Sequence, residues 1–181
     1  MQGLVIRRAR KEDVNQVNDF FKLVLKDTFE KNGIENLVED YEQEIREKRE
    51  FLNEDIESGG TKRFFLLAEI GNDIVGTIAL GPANHLINRC TNNKLKDLIE
   101  IGTVFVNPAY QQKGIGNLML AYMYDELDRK GIKEFCLDSG YKNAQKIWLK
   151  KFGDPEYHFA GFWGDGTDYM IWRVKLENVL N

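Results

Sequence analysis

Between a run rich in Val, Ile and Phe and an amphipathic stretch lies Gln111-Gln112-Lys113-Gly114-Ile115-Gly116. Upstream, "IEIGTVFV" (99–106) has the β-branched and aromatic content of a strand. Downstream, Leu118, Ala121, Tyr122 and Leu127 recur at helical spacing until Gly131. The six residues therefore open a helix. Unpaired N–H groups and the helix dipole favour an anion there. Gly114 and Gly116 let a ligand approach the main chain with no Cβ in the way. The competing reading is a strand-to-helix turn that needs glycine only for its own backbone. The meeting of Gln, Lys and two glycines at one helix start favours the anion.

Which phosphate-binding device this is depends on spacing. A Walker loop needs G-x-x-x-x-G-K-[ST], which the stretch does not contain. A dinucleotide fold gains some support from Gly114-x-Gly116 and from Asp138, about twenty residues on, where a ribose-binding acid would stand. Against it, Met119 occupies the third glycine position and the turn from Val106 to Gly114 is long. The flanking hairpins also do not build a doubly wound sheet.

The elements that must position this turn can be read around it. "LVIRRAR" (4–10) reads as a strand, followed by helices over roughly 12–31 and 36–57. "TKRFFLLAEI" and "DIVGTIALG" are strands joined by a hairpin turn at Gly71-Asn72-Asp73. "PANHLINRCTNNKLKD" shows no period and reads as a polar loop. "KEFCLDS" is a strand and "KNAQKIWLKKFG" a helix. "HFAGFW", the turn "GDGTD" and "YMIWRVKL" form a last hairpin. The order β-αα-ββ-β-α-β-α-ββ has one central βαβ crossover among hairpins. It predicts an α/β (α+β) domain spanning 1–181, with a mixed sheet of about seven strands and helices on both faces.

Bulk properties exclude several classes. Of the 181 residues, 43% are hydrophobic and 30% charged, as in an ordinary globular protein. A net charge of −4 argues against a nucleic-acid partner. No apolar run approaches a membrane span, and the charged start "MQGLVIRRARKED" lacks the apolar region of a signal peptide. Cys90 and Cys136 have no metal-ligand spacing, which suits free thiols in a reducing cytoplasm.

"VFVNP" followed by Gln111-Gln112-Lys113-Gly114-Ile115-Gly116 resembles the acyl-CoA-binding motif Q/R-x-x-G-x-G/A of the GNAT superfamily of N-acetyltransferases. The element order is similar to that fold over nearly the whole chain. The resemblance implies that backbone N–H groups from Gln112 to Asn117, with Gln111 and Lys113 beside them, hold the pyrophosphate of coenzyme A. It implies that Val104, Phe105 and Val106 pair with the pantetheine arm like a false strand. The strands ending near Val106 and Asp138 would splay to admit that arm, and Asn143 would contact the cofactor. Acetyl-CoA is then the co-substrate, and no metal is called for.

Acyl transfer to an amine needs a base, because an alkylammonium titrates at about 10.4 and has no lone pair. It also needs a donor for the oxyanion, which a strand amide around Val104–Val106 could supply. The resemblance points to Glu100 as the base. Glu100 is also the only acid in an apolar strand, where desolvation raises a carboxyl pKa. Gly102 suggests a bulge that re-aims side chains. The family's usual acid is a Tyr in the helix after the second parallel strand, but aligning Ala144 puts Trp148 there. An indole N–H is no proton source, so Trp148 reads as core and Tyr141 is the remaining candidate acid. The acceptor is an amine on a small molecule or a peptide, drawn by the acids of "ENLVEDYEQEIREKREFLNEDIES" if these face the cleft. The resemblance leaves a homodimer open. It also leaves open a rival reading, a non-catalytic acyl-CoA sensor on the same scaffold.

Overall fold

The computed structural model describes residues 3–180. Strands β1 (Leu4–Arg8), β2 (Phe64–Ile70), β3 (Asp73–Pro82), β4 (Ile99–Val106), β5 (Glu134–Ser139), β6 (Tyr157–Phe159) and β7 (Tyr169–Lys175) build a seven-stranded sheet. Its order is β1-β2-β3-β4-β5-β7-β6. Every neighbouring pair is antiparallel except β4 and β5. The helices are α1 (Val14–Asn32), α2 (Val38–Ser58), α3 (His85–Cys90), α4 (Ile115–Arg129) and α5 (Lys142–Phe152).

Alternation along β2 shows how the sheet acquires two covered faces. Leu66 and Ala68 pack with Met119, Leu120 and Met123 of α4 and Trp148 of α5. Phe65 and Leu67 point the other way, into a cluster with Val17, Phe21 and Val24 of α1 and Leu52 of α2. A period of two in the strand is thus matched by apolar stripes on helices of opposite layers. On the β5–β7 half of the α1/α2 face, Ala83, Ile87 and Leu95 cover Cys136, Tyr169 and Ile171. Both cysteines are free, Cys136 buried and Cys90 half-buried.

Two irregularities shape the middle of the sheet. First, β4 and β5 are paired only at Ile99–Phe135 and Glu100–Cys136, although β4 runs on to Val106 and β5 to Ser139. The strands fork immediately after Glu100, as expected, and the β5-side edge of β4 beyond that point carries no strand. Second, Thr77 pairs with Phe105 and Ala79 with Gly102, so β4 holds one residue more than β3 between these pairs. This is the bulge expected near Gly102. Thr103 sits within it at φ 51°, a conformation costly for a β-branched residue. The buried Thr77 hydroxyl donates to Thr103 O at 2.9 Å and pins the distortion.

Two segments differ from the sequence reading. The loop expected over "PANHLINRCTNNKLKD" contains α3, started by Asn84, whose Oδ1 accepts from Leu86 N and Ile87 N at 2.9 Å. Six residues are too few to show a helical period, so only the cap marked it. Of "HFAGFW" only His158 and Phe159 are strand, the end of β6. Gly161 at φ 61° turns the chain away, and its N–H is held by Asp168 Oδ1 at 3.0 Å.

Candidate active site

The turn before α4 is built around unpaired amides. None of the backbone N–H groups from Gln112 to Asn117 has an acceptor among the described residues, and the first bond of the helix is Leu118 N to Gly114 O. Gln112 at φ 60° and Gly114 at φ 84° curl the main chain into a concavity of N–H groups. The neighbouring side chains fold away from it. Gln111 donates to Val106 O at 3.2 Å and accepts from Lys31 at 3.2 Å. Lys113 donates to Ala109 O at 2.9 Å and lies over the Tyr110 ring. The turn is therefore main chain, with Lys113 supplying charge beside it, while Lys31 is paired with Asp27 at 2.6 Å. Ile115 is buried under it.

The two glycines have different reasons. Gly114 is required by its own backbone, since an L side chain is strained at φ 84°. Gly116 has no such need. A Cβ there would meet only Val106 Cγ2, at 3.8 Å, an ordinary contact. Among the described residues nothing requires Gly116 to lack a side chain, and the space a Cβ would occupy is open.

Glu100 stands at the fork and is 8% exposed. Its Oε2 accepts from Asn84 N at 2.7 Å. Its Oε1 has no donor among the described residues and, unlike Asp55 Oδ2, is not sealed from solvent. Asp138 lies on the other arm of the fork, where its Oδ2 accepts from Tyr169 Oη at 2.5 Å and from Asn84 Nδ2 at 3.0 Å. Asn84 thus bonds both carboxylates and caps α3. Burial pushes the Glu100 carboxyl up to about 8, aided by the charge of Asp138 and opposed by Lys48. Burial also raises Asp138, while its two donors and Lys48 oppose the shift. Lys48, reaching in from α2, lies 3.4 Å from both Glu44 and Glu47. Burial works against its charge, yet Glu44, Glu47, Glu100 and Asp138 together hold its pKa above the ordinary lysine value.

Tyr141 is the N-cap residue of α5 and is partly buried against Phe29, with ring centroids 6.2 Å apart. Its hydroxyl donates to Glu44 Oε1 at 3.3 Å. Burial and the charge of Glu44 move this phenol above its ordinary range. Trp148 is core, stacked on Phe152 at 5.7 Å between centroids. Asn143 is exposed in the first turn of α5. Val104, Phe105 and Val106 are half-buried on the forked strand. Asn84 and Lys48 were not singled out from sequence, and Tyr169 reads there only as a core aromatic of the last hairpin. Only Asn84 carried a local signal, as an N-cap type before "HLIN".

The acetyltransferase (GNAT) family model matches residues 26–153. The chain belongs to this family. No curated protein sequence matches this GNAT chain significantly. Among solved structures it is similar to a GNAT-family protein of Desulfovibrio desulfuricans, at 17% identity and TM-score 0.69, covering 96% of this chain and 99% of the other. It is also similar to the PaiA N-acetyltransferase of Thermoplasma acidophilum in complex with coenzyme A, at 21% identity and TM-score 0.67, covering 95% and 98%. A third is a chimera of the spermidine N-acetyltransferase SpeG from Vibrio cholerae and hSSAT, at 16% identity and TM-score 0.65, covering 99% of each chain. At these identities the likeness is one of fold. Among the described residues of the GNAT chain, no helix is long and apolar enough to cross a membrane.

Proposed function

We propose that this acetyltransferase is acetyl-CoA-dependent and passes the acetyl group to a primary amine by direct attack, with both substrates bound together. The observation that carries the reading is the fork itself. It sets a buried carboxylate, Glu100, on the same strand that leads into six consecutive free amides. The amides of Gln112 to Asn117 would hold the pyrophosphate, with Gln111 and Lys113 beside them. The open edge at Val104, Phe105 and Val106 would pair with the pantetheine arm, and Asn143, exposed in the first turn of α5, would contact the same ligand. When bound, acetyl-CoA supplies a thioester carbonyl open to attack by a nucleophile.

The chain's own contribution is proton management and orientation. Burial and the charge of Asp138 bring the Glu100 carboxyl closer to an ammonium, which titrates at about 10.4, so the proton moves to it at a lower cost than to an ordinary glutamate. Glu100 Oε1, without a donor and not sealed from solvent, is the atom to receive it. The amides on the open edge of β4 would stabilise an oxyanion. Asp40, Glu44 and Glu47 of α2 surround Tyr141 and give its side of the cleft negative potential, which suits a small cationic amine as acceptor. The spermidine N-acetyltransferase neighbour supports an amine acceptor of this kind.

The test is turnover of acetyl-CoA against a panel of primary amines and polyamines, scored by free thiol release and by the mass of the acetylated product. Transfer to at least one amine, lost in Glu100→Gln, is the expected result. Tight CoA binding without transfer to any amine would overturn it in favour of a sensor.

A further inference from the structure

Glu100 and Asp138 are far apart in sequence but are tied through one residue. The backbone N–H of Asn84 holds Glu100 Oε2 at 2.7 Å, and its side-chain amide holds Asp138 Oδ2 at 3.0 Å. The strands that carry them diverge at this point, and Cys136, the register partner of Glu100, is fully buried between them. Such a site is poor in solvent, so two negative charges in it repel strongly and one proton is retained.

The donors decide where that proton rests. Asp138 Oδ2 receives two side-chain hydrogen bonds, from Tyr169 and Asn84. Glu100 accepts the Asn84 backbone amide at Oε2, and the Asn84 side chain adds a weaker preference for its anion. It has no counterpart to the Tyr169 hydroxyl and keeps Oε1 without a donor in hydrogen-bond range. Hydrogen bonds to an anion favour the anion. Asp138 is therefore the charged member and Glu100 the member that binds and releases the proton.

We propose that Asp138 is a positioning residue for Glu100: the two carboxylates, bridged by Asn84 across the fork, form a pair that binds a single exchangeable proton, and when both are ionised the fixed charge of Asp138 makes Glu100 basic enough to take that proton from an ammonium. The inference rests on the functional reading above for the ammonium, but not for the pair. The other charged or titratable groups facing the pair are Lys48, Glu44 and Glu47 from α2, Cys136 from β5 and Tyr169 from β7. Lys48 opposes Asp138, and the remainder are negative or neutral, so the net field still favours the shared proton.

Two measurements test it. Infrared titration of the ligand-free protein should show a protonated carboxyl band that disappears with a midpoint near 8 and is absent from Glu100→Gln. Asp138→Asn should move that midpoint down by about one pH unit or more. The acidic limb of the kcat/KM profile for acetyl transfer should move down with it, while KM for acetyl-CoA stays unchanged. A midpoint or limb that does not move in Asp138→Asn overturns the pair. If Asp138→Asn does not fold, the wild-type titration decides: a Glu100 band titrating in the ordinary carboxyl range overturns it. The infrared arm needs no substrate, so absent acetyl transfer with a normal band would sink the enzymatic reading and leave the pair standing.

Discussion

The carboxylate of Glu100 fills the space that a side chain at Gly102 would need. A Cβ on Gly102 would lie 2.9 Å from Glu100 Oε1, a distance real Cβ atoms essentially never show. Gly102 therefore does more than accompany the bulge: it leaves room for the carboxylate to lie along its own strand. The obstructed atom is the end of a flexible side chain, so Gly102→Ala should fold and melt close to wild type. Its Glu100 must swing off the Asn84 amide or away from the fork. We expect kcat to fall by about tenfold or more, the loss typical of a displaced base, with KM for acetyl-CoA unchanged. Unaltered turnover would show that the position of this carboxylate does not matter.

Gly116 gives a test that separates ligand from backbone. Because a Cβ there meets only Val106 at 3.8 Å, Gly116→Ala should leave the apo protein as stable as wild type or slightly more so, by up to about 1 kcal/mol. Alanine is accepted at this place in the family's motif, so CoA should still raise the melting temperature. Gly116→Leu should also fold, but its larger side chain intrudes on the cradle. Saturating CoA at about 100 times Kd contributes about 2.7 kcal/mol of stabilisation to wild type. The leucine variant should show almost none of it. Equal melting shifts in wild type and Gly116→Leu would move the pyrophosphate elsewhere.

The contrast between these glycines and Asn84 shows where sequence reading succeeds. The strands, the long helices and the glycine turn before α4 declare themselves locally, through periods of two or 3.6 and through residue types that suit a single turn. The fork between β4 and β5 followed only from resemblance, since two strands read alike whether parallel or splayed. What surrounds Glu100 comes from elsewhere: Asn84 lies 16 residues before it, Asp138 is 54 residues beyond Asn84, and Lys48 sits on a helix of the first third of the chain. Asp138 was noticed only as the end of its strand and as a ribose acid for a fold the chain does not have. Lys48 is one basic residue in a helix full of charges, and its burial is invisible without the tertiary packing. Tyr169 reads as core and is core, but its hydroxyl is committed to Asp138.

Glu100→Gln is a test of both catalysis and stability. Glutamine can still accept from Asn84 N but cannot take a proton, so the rate should fall by about 10²–10⁴ with little change in acetyl-CoA affinity. The stability effect has a definite sign. Glu100 holds its proton more tightly in the folded state, at about 8, than in the unfolded chain, at about 4.3. Its contribution is thus fully present below the unfolded value and is lost as pH rises toward 8, with a slope of at most about 1.4 kcal/mol per pH unit. Denaturation midpoints measured from pH 5 to 9 should fall less steeply in Glu100→Gln than in wild type, and the variant should be the more stable at pH 9. Parallel curves would mean that Glu100 titrates as an ordinary carboxylate.

Tyr141 is the remaining candidate acid, and its surroundings argue against that role. Its hydroxyl already donates to Glu44 Oε1 at 3.3 Å, and burial beside that acid makes the phenol harder to deprotonate. A weaker acid is a poorer donor to a leaving group. The group leaving a thioester is a thiolate, whose conjugate acid titrates at about 8.5, so it departs near neutral pH largely without a proton. Trp148, stacked on Phe152 in the core, offers no substitute. The site should therefore run on its base and its oxyanion donors alone. Tyr141→Phe removes the hydroxyl and keeps the ring against Phe29. We expect it to slow turnover by less than about tenfold, which is under ~1.4 kcal/mol of barrier. The alkaline side of the pH–rate profile should not change. A larger loss, with disappearance of an alkaline limb, would show that Tyr141 protonates the leaving thiolate and that its bond to Glu44 opens during the reaction.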